Sequence, residues 1–149
     1  MADKSFKQAR KLFKKKKYSE VIRILEPQIF RFRDTYEFYY LLGLSCLYQG
    51  DFGGASSYLH RARDMNPEDK TVSLALASIH LKRSEVDKAL KMWLKILDQS
   101  PKNKTAQKGL NTVRKLAKNE ELKEFINSDR INKLFPPHKR NPLPLIAKG

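Results

Sequence analysis

The sequence repeats itself every 34 residues without a gap, and no other property restricts its fold so sharply. Ala55 advances onto Ala89, Leu59 onto Trp93, Phe52 onto Val86, Leu42 onto Leu76 and Pro67 onto Pro101. The same step taken backwards brings Gly43 to Ala9, Phe52 to Tyr18, Ala55 to Val21 and Leu59 to Leu25. A fixed period of this size marks stacked supersecondary units, each unable to bury its apolar face alone.

Each unit reads as two helices. In TYEFYYLLGLSCLYQ, with Asp34 or Thr35 as cap, apolar residues run at three- and four-residue spacing until Gly50 forces a turn. FGGASSYLHRARDM is the partner helix, and Asn66-Pro67 ends it. The next unit repeats the plan: KTVSLALASIHLKR, a turn at Ser84, EVDKALKMWLKILDQ, and a stop at Ser100-Pro101. Helices joined so tightly lie antiparallel. Small residues at Gly43, Ala55, Ala62, Ala77 and Ala89 let the backbones approach, while Tyr39, Leu42, Leu59, Leu76 and Trp93 fill the space around them. The expectation is an all-α, right-handed helical-repeat solenoid of antiparallel helix pairs.

These residues resemble the tetratricopeptide repeat family. Residues 36–69 supply Tyr39, Leu42-Gly43, Ala55, Leu59, Ala62 and Pro67, and residues 70–103 supply Leu76-Ala77, Ala89, Trp93 and Pro101. Residues 2–35 form a divergent first repeat in which Pro27 predicts an early end to the second helix. Residues 104–135 read as C-terminal capping helices, and residues 136–149 as an extended, basic, proline-rich tail.

The resemblance implies a non-catalytic adaptor or scaffold whose first helices line a concave groove for a peptide or helix of a partner protein. The matching groove positions are Phe6, Arg10 and Phe13, then Glu37, Tyr40, Leu44 and Leu47, then Leu74, Ser78 and Leu81. They are mostly apolar, so aromatic area with Arg10 as an anchor for an acidic group is expected. Some family members clamp a partner's C-terminal carboxylate with several basic groove residues. The corresponding positions here, Phe6, Arg10, Leu41, Thr71 and Ala75, hold a single base and disfavour that role.

Residue chemistry points the same way. His60, His80 and His138 have no ligand partners at metal spacing, Cys46 lies on a predicted buried face, and GDFGG lacks the Lys-Ser/Thr that a phosphate loop requires. Neither enzyme activity, nor a cofactor, nor a metal is expected.

The net charge of +15 is unevenly spread. Lys/Arg outnumber Asp/Glu by 11 to 4 in residues 1–34 and again in residues 104–149, but are outnumbered 2 to 5 in residues 35–69. Basic ends can steer anionic partners. Lys14, Lys15, Lys16 and Lys17, with Arg31 and Arg33, form the candidate basic patch. Its alternative role is docking on nucleic acid or an anionic membrane. Nucleic acid is the weaker option, because the aromatic residues are spent within the repeat pattern. The single cysteine and the absence of a signal-type apolar run near the N-terminus predict a cytoplasmic location. Two expectations attach to the tail. Leu143, Leu145 and Ile146 fold back onto the groove of the same or a second molecule, giving a route to homo-oligomers; or the chain continues into a membrane, with Lys139, Arg140 and Lys148 flanking its inner face.

Overall fold

The computed structural model describes residues 3–117 and 121–138. Its eight α-helices are α1 (Asp3–Lys14), α2 (Tyr18–Leu25), α3 (Tyr36–Tyr48), α4 (Phe52–Met65), α5 (Lys70–Lys82), α6 (Val86–Gln99), α7 (Lys104–Leu116) and α8 (Glu121–Ile126). Single 3-10 helices span Glu26–Gln28 and Asp129–Leu134, and the described residues contain no strand. The fold is therefore all-α and repetitive: α2, α4 and α6 open on Tyr18, Phe52 and Val86, at 34-residue intervals. The tail residues Lys139, Arg140, Leu143, Leu145, Ile146 and Lys148 lie outside the described residues.

Two compact units are present. The first gathers residues up to Glu68 together with His138, and the second comprises Asp69–Pro137.

The period is written most clearly in the turns. Lys16, Gly50 and Ser84, again at 34-residue intervals, have φ of 61°, 84° and 62°. Each turn closes with the same pair of bonds, seen at Gly50 as its own N–H to the Leu47 carbonyl and the Asp51 N–H to Cys46. Ser84 and Glu85 donate likewise to Leu81 and His80, as Lys16 and Lys17 do to Phe13 and Leu12. This is the left-handed cap that satisfies the last carbonyls of a helix. Only Gly50 adopts it without a Cβ penalty. Ser84→Gly is accordingly expected to raise stability by about 0.5–1 kcal/mol, the relief of left-handed strain less the added chain entropy of glycine. Urea unfolding followed by helicity measures it, and a loss of stability would refute this account of the turn.

Helix starts follow the same spacing. Thr35, Asp69 and Asn103 precede α3, α5 and α7. The Asp69 carboxylate accepts from the N–H groups of Thr71 and Val72, and Asn103 Oδ1 from that of Ala106. Thr35 makes no such bond. After α2, Pro27 stands inside the 3-10 helix, so the helix ends at Leu25, as its missing N–H requires.

Packing in each unit pairs a small residue with a large one. Within the first, Gly43 faces Leu59, and Ala9 and Leu25 at the matching repeat positions are fully buried. Helix α3 is buried from Tyr36 to Leu47, as expected of a helix that is apolar on every side. The core of the second unit joins Leu74, Ala77 and Leu81 of α5 to Ala89, Trp93 and Ile96 of α6, Ala106 and Val113 of α7, and Phe125, Ile126, Ile131 and Leu134 of the C-terminal turns.

Candidate functional site

In the first unit, α1 is amphipathic. Its inner face buries Phe6, Ala9 and Phe13. Phe6 meets Phe32 edge-on, with ring centroids 4.6 Å apart. Arg10 reaches from α1 to α3, where its Nε and a terminal nitrogen donate to the two carboxylate oxygens of Glu37. Its guanidinium also lies 5.7 Å from the centre of the Phe6 ring. Glu37 is almost fully buried, whereas 45% of the Arg10 side chain is exposed. This two-pronged pair fixes the one charged anchor of the groove positions that faces water.

The remaining groove candidates are interior. Tyr40, Leu44 and Leu47 are buried on α3, and Tyr40 packs 5.8 Å from Tyr36. In the second unit Leu74, Ser78 and Leu81 are buried on α5, and Ser78 Oγ donates to the Ala75 carbonyl. Leu74 and Leu81 belong to the cluster that includes Ile131 and Leu134 of the 3-10 helix Asp129–Leu134. Lys82 Nζ reinforces that junction by donating to the Ile126 carbonyl at 2.9 Å. The α5 face is thus covered by chain from beyond the repeats, a cover that periodicity cannot signal.

A second group gathers in the first unit around His138. Its ring stacks on Phe13 at 4.8 Å, stands at 62° to Tyr18 with centroids 5.8 Å apart, and lies 6.1 Å from Tyr48. Tyr18 Oη is 2.8 Å from His138 Nδ1. Burial raises the pKa of the Tyr18 and Tyr48 phenols, and burial followed by the nearby Lys16 charge lowers that of His138. Helices α1, α2 and α3 each contribute one wall. Sequence reasoning had Phe13 but missed the others, because His138 lies 120 residues from Tyr18.

The basic residues divide. Lys14, Lys15, Lys16 and Lys17 are exposed along the end of α1 and its turn. Arg31 is exposed and stacks 5.4 Å from the Phe32 ring. Arg33 is exposed too, and its carbonyl accepts from Tyr39 Oη. An open concavity on α1 is lined by Lys4, Lys7, Gln8, Arg10, Lys11 and Lys14. Lys4, Lys7 and Lys11 extend the patch beyond the lysine run, and their three- and four-residue spacing before Lys14 was its available signal. Elsewhere, His80 pairs with Glu85 at 2.9 Å.

Helix pairs with left-handed turns at a constant period define a helical-repeat array. Residues 40–104 match the family model of the tetratricopeptide repeat, and the helical structure is consistent with such repeats. The family consists of protein–protein interaction modules and is generally non-catalytic. No curated protein matches the chain. Among the described residues, no helix is long and apolar enough to cross a membrane.

Proposed function

We propose that this protein is a non-catalytic adaptor that holds a peptide or helix of a partner on the inner faces of its repeats. The observation that carries the reading is the cover on α5, where Leu74 and Leu81 share a core with Ile131 and Leu134 of a short, non-repeat helix. A face that takes a short amphipathic segment of its own chain has the shape and chemistry to take one from a partner. Arg10, held by Glu37 and open to water, supplies the complementary charge for an acidic partner residue.

The test is a random peptide library selected against the full chain, then remeasured on a variant carrying Ile131→Asp and Leu134→Asp. These changes release the covering helix, with retained helicity as the control for folding. Selected peptides are expected to bind about tenfold tighter to the variant, a gain of about 1.4 kcal/mol. Unchanged affinity would move the partner site away from α5.

The concavity lined by Lys4, Lys7, Arg10, Lys11 and Lys14 favours a second reading, docking on an anionic surface. Salt separates the two. Binding through these lysines weakens steeply as salt rises, whereas binding to the apolar face persists.

A further inference from the structure

We propose that Phe13, Tyr18 and Tyr48 form a recognition box for an uncharged histidine or aromatic side chain on an extended, proline-containing segment, filled here by the chain's own His138. The inference rests on the repeats' inner faces as binding surfaces, but it uses only the first unit.

Three features make the box more than a chance contact. Its walls come from three helices, and Phe13 is 1% exposed, so the pocket is built into the repeat core rather than laid on its surface. The ring within it is stacked on Phe13 and bonded to Tyr18 Oη, so a flat ring with a polar edge is matched on face and edge together. The segment leading to it reads Phe-Pro-Pro-His, and Phe135 already has the extended backbone that prolines maintain. A pre-extended segment loses little chain entropy on docking.

The charge state of the ring is selected as well. Among the described residues His138 Nε2 is buried with no hydrogen-bond partner, so an imidazolium, protonated on both nitrogens, always carries an orphaned N–H there, whereas the neutral Nδ1–H tautomer does not. Among the described residues, the groups facing the ring are the Tyr18 phenol of α2, the Tyr48 phenol of α3 and the Lys16 ammonium of the α1–α2 turn; α1 presents the apolar Phe13. Lys16 repels a second positive charge. Since the docked ring's pKa lies below its ordinary 6.5, docking is complete above about pH 6.5 and weakens as pH falls toward the docked value. The box therefore prefers neutral imidazole or phenyl rings to cationic side chains, despite its three aromatic walls.

The test uses the full chain with His138→Ala and three peptides: residues 135–140 of this chain, the same peptide with His138→Phe, and the same with His138→Ala. The variant is expected to bind the histidine and phenylalanine peptides at least about tenfold more tightly than the alanine peptide, and the wild type to bind all three weakly because its box is filled. Adding Tyr18→Phe weakens the histidine peptide selectively, since only that peptide uses the phenol. Moving from about pH 7.5 to about pH 5.5 weakens the histidine peptide and leaves the phenylalanine peptide unchanged. Equal or absent binding of the three peptides overturns the proposal. An independent check follows the imidazole signals of the unaltered chain by NMR: a His138 midpoint at or above 6.5 that Phe13→Leu does not move also overturns it. Neither measurement touches α5, so the box and the α5 face succeed or fail separately.

Discussion

Trp93→Ala is expected to lower the stability of the second unit by about 3–5 kcal/mol, the usual cost of emptying a large aromatic site. Trp93 is the largest fully buried side chain of the protein. Its indole lies across Gly109 of α7, where a Cβ would come within 2.4 Å of the ring, so the two helices are in contact through this residue with no slack between them. Alanine leaves a hole that Ala77, Ala89 and Ala106, all small, cannot fill by rotating. Trp93→Phe is expected to cost far less. Among the described residues the indole N–H is buried without an acceptor, so the smaller ring also removes an unsatisfied donor. Urea unfolding followed by circular dichroism measures both, and equal costs for the two variants would show that the indole is not filling the core as described.

The second large effect belongs to the first unit. Gly43→Val is expected to destabilise it by about 1–3 kcal/mol, because the new side chain must enter a packed core. A Cβ at this position would stand 2.7 Å from both Cγ and Cδ2 of Leu59, which is itself fully buried and cannot swing clear. Alanine at position 43 is better tolerated, since its higher helix propensity offsets part of the clash by about 1 kcal/mol. The pairing is tested by a double-mutant cycle of Gly43→Ala with Leu59→Ala. Strong coupling is expected, with the second change relieving the first, and simple additivity would show that the helices do not meet at these two residues.

Gly43 and Trp93 also show why the architecture was legible in the sequence. Periodicity is a local property copied along the chain, and close approach needs a small residue opposite a large one. Ala9, Gly43 and Ala77 therefore recur at one interval, with Leu25, Leu59 and Trp93 at the same interval. The turns carry the signal in part: Gly50 announces a left-handed residue, while Lys16 and Ser84 adopt the same φ with nothing in their chemistry to require it.

The candidate site was less readable. The repeat pattern puts Phe13, Leu74 and Leu81 on inner helical faces, but not what lies over them. That depends on segments outside the period: the Lys82–Ile126 bond spans 44 residues and the Tyr18–His138 bond 120. Contacts of such separation are set by where the chain returns after the repeats end, and no spacing rule encodes that. The Arg10–Glu37 pair sits between these cases. Both residues were placed on the groove by the period, yet their mutual capture depends on a side-chain reach that spacing does not express.

Cys46 lies deep within α3, 1% exposed, and burial, with Asp51 and Glu26 nearby, pushes its thiol up to about 12. Alkylating and oxidising reagents attack the thiolate, which a thiol of that acidity scarcely forms near neutrality. Their reaction with this thiol therefore waits for α3 to part from its neighbours. As the sequence contains one cysteine, every label incorporated reports the same event. The rate of a simple chemical modification becomes a clock for the opening of the N-terminal unit, readable by mass in a crude mixture and independent of any optical signal.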